Sequence, residues 1–211
     1  MDFFNIHTHS LTCPESEILS QSPLQFPADK RTIYTSIGIH PWGLTEENAE
    51  DQQKSLQKFI SNASVIAIGE SGLDKLQGPS IDVQTNILRQ QILLSETYSL
   101  PLILHCVKAF NELIQLKKEI KPQQPWIIHG FRGKEALATD CIRHGFYLSF
   151  GEYFQEKALK ATPLEKLFIE TDQSEKPIGS IYQTISDTCG IPLKELNDYI
   201  KKNVKKVFFK A

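Results

Sequence analysis

No stretch of this sequence approaches the roughly 20 apolar residues that a membrane-spanning helix requires. That excludes a helical membrane protein. Its four cysteines, Cys13, Cys106, Cys141 and Cys189, lie far apart and form no CxxC pair, so neither a zinc ribbon nor a redox motif is encoded. The first residues, MDFFNIH, lack the basic opening and long apolar stretch of a secretory signal. With no such segment, the thiols are expected to be reduced and the protein cytoplasmic. Charge of one sign is also missing: 23 Lys and Arg stand against 25 Asp and Glu, a net charge of −2. Bulk electrostatics therefore gives no attraction to nucleic acid or to an anionic membrane. Any phosphate polymer would have to be held locally, by a basic rim or by bound metal. Low-complexity tracts and linkers are absent too, and residues 1–211 are expected to form a single domain.

What the sequence does contain is a repeated unit. Short, almost continuously apolar runs recur as FFNIH (3–7), SEILS (16–20), TIYTSIGI (32–39), VIAIG (65–69), PLILH (101–105), PWIIH (125–129), FYLSF (146–150) and LFIET (167–171). Runs of this length, rich in Ile, Val, Phe and Tyr, suit strands buried on both faces. Pro101 and Pro125 stand at strand starts, where a missing N–H costs least. Helical spacing fills many of the intervals: Leu56, Phe59 and Ile60 form one stripe, Ile87, Leu88 and Ile92 another, and Phe110, Leu113, Ile114 and Leu116 a third. Residues 180–209 read as two helices, with Pro192 near the start of the second. Alternating strand and helix means parallel strands joined by right-handed crossovers, and eight strands suit closure. The expected fold is a compact, distorted (β/α)8 TIM-type barrel of the α/β class. Its second β/α unit is shortened, because the Pro-rich link SPLQFPADK (22–30) is too short for a packed helix.

The strand ends carry the chemistry. In NIHTHS (5–10), His7 and His9 share one face of an extended strand, about 7 Å apart, so both imidazoles can grip one object. His40 follows the third run, Glu70 the fourth, His105 and His129 end the fifth and sixth, and Asp172 ends the last. In a (β/α)8 barrel all these ends meet on one rim, where the active site of that architecture lies. A single histidine at a strand end is usually a hydrogen-bonded packing residue. Five of the chain's six histidines at such ends is a different matter. The convergent set is His7, His9, Glu70, His105, His129 and Asp172. Six ligands exceed the three or four protein groups that one zinc takes, and suit two ions about 4 Å apart sharing one carboxylate. Glu70 is the expected bridge, with His7, His9 and Asp172 on one ion and His105 and His129 on the other. Imidazole-rich sites favour Zn, Mn, Co or Ni over Mg, although the sequence does not choose among these five. His40, followed by Pro41 and Trp42, reads as a packing turn, His144 as the end of a helix, and Cys106 as a core thiol. Ser10 and Ser71 have no neighbouring base and are not nucleophiles.

These pieces resemble the TatD family of metal-dependent hydrolases, related to the amidohydrolase-type barrels. The matching segments are HTH at 7–9, GIHPW at 38–42, IGESGLD at 68–74, LPLILHC at 100–106, IIHGFRG at 127–133, LFIETD at 167–172 and NVKKVF at 203–208. The resemblance implies a (β/α) barrel, divalent metals and hydrolysis of phosphodiesters, several members being deoxyribonucleases. By motif it also assigns the metal ligands to His7, His9, Glu70, His105, His129 and Asp172. Four positions depart from the family: Asn5 stands where Asp is usual, Lys75 where an aromatic is usual, and Val107-Lys108 where Ser-Arg is usual. The stretch after Asp172 is shortened to QSEKPIGSIYQ.

The expected function is thus metal-assisted hydrolysis of a phosphodiester, including one at a DNA end, with Glu70 and Asp172 catalytic and Asp172 handling the proton of the attacking water. Lys75, Lys108 and Arg132, with Lys134, follow strand ends and are candidates for a basic rim that meets phosphate. No obligate protein partner is expected. A hydrolase of the same barrel acting on another ester, amide or small phosphate compound is the alternative. A non-catalytic metal-binding protein is a third.

Overall fold

The structure, a computed structural model, describes residues 2–26 and 33–209. Part of the expected link over 22–30, and the Thr32 start of the third expected strand, lie outside the described residues.

All eight apolar runs form strands: β1 (Asn5–Thr8), β2 (Glu17–Gln21), β3 (Tyr34–Ile37), β4 (Val65–Asp74), β5 (Leu102–Val107), β6 (Trp126–Ile128), β7 (Tyr147–Phe150) and β8 (Leu167–Ile169). They pair in sequence order, each parallel to the next. Closure comes from a bridge between Thr8 and Asp172, where Asp172 N–H donates to His7 O (3.0 Å) and His9 N–H to Asp172 O (3.2 Å). A nearly closed barrel of eight parallel strands results. Among the described residues the helices are α1 (Ala49–Phe59), α2 (Ile81–Tyr98), α3 (Phe110–Ile120), α4 (Glu135–Arg143), α5 (Glu156–Lys160), α6 (Ile178–Cys189) and α7 (Leu193–Phe208). Pro192 caps the last, as its fixed φ suits a helix entry.

The apolar runs fold as expected because both faces of each strand are covered. Ile6, Ile18, Ile68, Leu104, Ile127, Leu148 and Phe168 are all buried in one continuous cluster with the helices' inner stripes. Each such side chain contributes about 1.5–3 kcal/mol of transfer free energy. A smaller cluster, including Phe26, Ile37, Ile39, Leu44 and Leu56, packs α1 against β3.

Two features go beyond the sequence reading. The abbreviation is broader than expected: β1 passes to β2 with no helix, and among the described residues the link from β2 to β3 contains only the short 3-10 turn Pro23–Gln25. In place of a helix, Glu17 folds the first link onto the barrel, accepting from Thr12 N–H (2.7 Å), Cys13 N–H (2.8 Å) and Thr12 Oγ1 (2.8 Å). Secondly, β4 does not stop at Gly69. It breaks register and continues, pairing Ser71 with Leu104, Gly72 with His105 and Asp74 with Val107. Gly72 makes this possible: it sits at φ +153°, and a Cβ there would lie 1.9 Å from His105 O. The strand thereby carries Glu70 into the mouth of the barrel instead of leaving it on a loop.

The seam depends on Asn5. Its Oδ1 accepts from Thr171 N–H (3.1 Å) and its Nδ2 donates to Thr171 Oγ1 (2.8 Å), 166 positions away, and Asn5 itself is fully buried. The primary amide gives one acceptor and one donor to the two ends of the ring. Asn5→Ala is expected to lose about 1–3 kcal/mol, because Thr171 keeps a buried, unpaired N–H. Urea unfolding checks this: the midpoint falls while the slope stays that of the parent.

Candidate metal centre

The side chains at the strand ends converge on Glu70. Its Oε2 lies 3.5 Å from His7 Nε2 and 3.2 Å from His9 Nε2. Its Oε1 lies 2.9 Å from His129 Nε2, 3.3 Å from His40 Nε2 and 3.7 Å from His105 Nδ1. Asp172 Oδ1 joins the first group, 3.4 Å from His9 Nε2 and 3.7 Å from His7 Nε2. One carboxylate therefore has one oxygen turned to each of two imidazole sets. His7, His9, Glu70, His105, His129 and Asp172 are all brought together.

His40 is drawn in as well, which its packing turn concealed. It caps the 3-10 turn Pro41–Gly43, with Nδ1 accepting from Trp42 N–H at 3.0 Å. An imidazole that accepts at Nδ1 carries its proton on Nε2, so it donates toward Glu70 Oε1. Burial pulls its pKa down, which keeps it neutral. This tautomer makes His40 a hydrogen-bond donor to the carboxylate rather than a source of a lone pair.

Two further carboxylates orient the other histidines, and neither was singled out in the sequence. Asp74 Oδ2 faces His105 Nε2 at 3.0 Å and also accepts from Trp42 Nε1 (2.6 Å), while its Oδ1 accepts from Leu76 N–H (2.7 Å). Glu170, fully buried, places Oε1 3.3 Å from His129 Nδ1 and accepts from Gly130 N–H (2.6 Å). A histidine bonded by one nitrogen to a carboxylate presents the lone pair of the other, as metal-ligating imidazoles do. His105 thus offers Nδ1 and His129 offers Nε2. A signal for both existed: Asp74 closes IGESGLD, and Glu170 stands two residues before Asp172 in LFIETD.

The electrostatics of the cluster call for positive charge. Burial works to raise the Glu70 carboxyl, but His129, His7 and His105 outweigh it and hold it well below the usual carboxylate range. Asp172 behaves alike: burial opposes its ionisation, and His9 and the other imidazoles win. Burial disfavours charge on His129, yet Glu70 and Glu170 push its pKa well up. The hydrogen bond to Asp172, with that to Glu70, raises His9 to about 9. Among the described residues, both nitrogens of fully buried His7 and the Nε2 of His129 have no hydrogen-bond partner. Orphaned lone pairs aimed at carboxylates are costly unless a proton or a cation lies between them. His7, His9 and Asp172 can converge on one ion, as can His7, Glu70 and His129. Nitrogen and oxygen donors of this kind fit a borderline transition metal.

A cavity of about 1200 Å³ opens over the cluster and is lined at its rim by Lys108, Arg132 and Lys134. Lys75 is placed differently. Its ammonium pairs with Glu112 in the first turn of α3 at 2.5 Å, and it does not line the cavity. His144 caps α4, 3.6 Å from Asp140. All four cysteines are free; burial raises the thiol pKa of Cys106, which is partly buried and borders the cavity. Among the described residues no helix is long and apolar enough to cross a membrane.

Residues 20–209 match the family described as TatD related DNase. The chain is 34% identical over 149 residues to the uncharacterized metal-dependent hydrolase YabD of Bacillus subtilis, covering 66% of this chain and 58% of that protein. It is 28% identical over 171 residues to Deoxyribonuclease Tat-D of Schizosaccharomyces pombe, covering 72% of this chain and 55% of that one. The chain spans 58% to 60% of the length of the first curated relatives it matches. Among solved structures, the TatD homolog YjjV of Escherichia coli superposes with a TM-score of 0.78 at 22% identity, covering 92% of this chain and 86% of that chain, which shows a shared fold.

Asp74→Asn is expected to weaken divalent-metal binding about 10- to 100-fold, because the amide can present its NH2 to His105 and reverse that ring's tautomer. Calorimetric titration with Zn²⁺ or Mn²⁺ measures it, and an unchanged far-UV spectrum shows that the barrel is intact.

Proposed function

The chain belongs to the TatD-related DNase family, and from that premise we propose that it is a divalent-metal-dependent hydrolase that cleaves phosphodiester bonds. The observation that carries this reading is the division of Glu70 between two imidazole sets, His7 and His9 at Oε2 and His105 and His129 at Oε1. That arrangement supports two cations sharing the Glu70 carboxylate, with Asp172 completing the first set. Divalent ions bound there would supply an acidified water near neutral pH and neutralise charge on the scissile phosphate.

The chain's own groups do the rest. Asp172, about a quarter exposed at its side chain, stands between the buried histidines and the cavity, where it can accept the proton of the attacking water and return it to the leaving oxygen. Its depressed pKa keeps it ionised at neutral pH. His40 donates to Glu70 and steadies the shared carboxylate. Asp74 and Glu170 hold His105 and His129 in the tautomers that face inward. Lys108, Arg132 and Lys134 gather phosphates at the rim, which a net charge of −2 does not do by itself. Substrates described for relatives support a nucleic acid: one is named a 3'-5' ssDNA/RNA exonuclease, from Cronobacter turicensis.

Metal analysis of the purified protein tests the centre. Two equivalents of divalent metal are expected in the parent, with loss of both in Glu70→Ala and of one in His129→Ala. Metal unchanged in both variants would refute the shared-carboxylate site. The parent should hydrolyse bis(p-nitrophenyl) phosphate and a single-stranded oligonucleotide, and chelation should abolish both activities.

Metal uptake should also be proton-linked. With no cation bound, His9 has a pKa raised to about 9 and is protonated at pH 7. A cation requires the neutral ring, so binding expels protons and affinity falls as pH drops below 9. Titration at pH 7 in two buffers of different ionisation enthalpy should give heats that differ by the number of protons released.

A further inference from the structure

A second cleft of about 550 Å³ adjoins the first and shares Gly130, Arg132, Asp172 and Gln173 with it. Just beyond the end of β7 it holds Tyr153, which is 63% exposed. Isolated exposed aromatics are common and need no explanation. Tyr153 is set apart by two observations. The Arg132 guanidinium lies over its ring at 5.4 Å, fixing the ring while most of it remains open to solvent. The same Arg132 also lines the main cavity, so the aromatic shelf and the catalytic mouth are one continuous surface meeting at Asp172.

We propose that Tyr153, braced by Arg132, is a stacking shelf for an unpaired nucleobase next to the scissile phosphodiester. The proposal rests on the hydrolase reading above and adds a specificity determinant to it. Tyrosine rings and guanidinium planes both stack on bases, and every base offers such a face, so a shelf of this kind selects single strands without reading sequence. Carboxylates line the cleft along with Arg132 and Lys176, and the one beside Tyr153 in sequence is locally offset. Glu152 accepts from Ser174 Oγ at 2.5 Å and pairs with Lys176 at 2.9 Å, which offsets its charge. Arg132 can at once brace the ring and meet the phosphate that joins the stacked nucleotide to the reacting one. A duplex keeps its bases paired and cannot occupy the shelf without fraying.

The test compares the parent with Tyr153→Ala and Tyr153→Phe on single-stranded oligo-dA, and on the same oligonucleotide with an abasic residue beside the cleaved bond. Loss of one base–aromatic stack is expected to raise KM about tenfold in Tyr153→Ala, with kcat little changed and the phenylalanine variant close to the parent. On the abasic substrate the parent and Tyr153→Ala should converge. Equal KM values on oligo-dA would overturn the shelf and leave the hydrolase reading standing. If the parent cleaves no phosphodiester with any divalent metal, that reading fails by itself. The shelf is then judged by fluorescence anisotropy of labelled oligo-dA in the presence of chelator. About tenfold weaker binding by Tyr153→Ala upholds it, and equal binding, or none by the parent, overturns it.

Discussion

Five imidazoles surround one nearly buried carboxylate, and that crowding is the constraint on which the site rests. An ionised Glu70 in a poorly solvated mouth is costly, and so is a protonated imidazole. Each is tolerable only because of the other. The outer carboxylates, Asp74 and Glu170, sharpen the requirement, since they fix two rings with lone pairs directed at Glu70. The arrangement is balanced only with positive charge at its centre. Protons can supply it, as the raised pKa values of His9 and His129 indicate, and divalent ions are the other source.

The barrel makes the crowding affordable in conformational terms. Parallel strands bring every C-terminal end to one side, so residues scattered along the chain meet without any local motif. The register break in β4 lets one strand deliver Glu70 to the mouth and, four residues later, Asp74 to the far nitrogen of His105. Among the described residues no α-helix flanks β2, and Glu17 ties the link from β1 with hydrogen bonds.

Much of this was legible in the sequence. Strands buried on both faces announce themselves as short apolar runs, and all eight did. Histidines and acids at the ends of those runs named the six central side chains, because alternation and strand polarity leave little choice about where they go. What escaped has physical reasons. GESGLD looks like a loop, since a continuing strand there needs Gly72 at a backbone angle no other residue adopts easily. His40 looked like part of a turn, and it is one; the turn's own N–H sets its tautomer. Asp74 and Glu170 act through other residues, and sequence spacing does not say which histidine a carboxylate will hold. The long side chain of Lys75 could reach either the mouth or α3, and proximity to Glu112 decided it.

The seam between the first and last strands has a consequence for how such a molecule comes into being. His7 and His9 precede all the other strands, whereas the backbone that fixes them against Asp172 comes only after β8. Until then the early histidines belong to an unfinished ring with nothing to grip. A product lacking β8 and Asp172 leaves the barrel open, and the cluster of side chains is complete only when the two ends of the sheet meet.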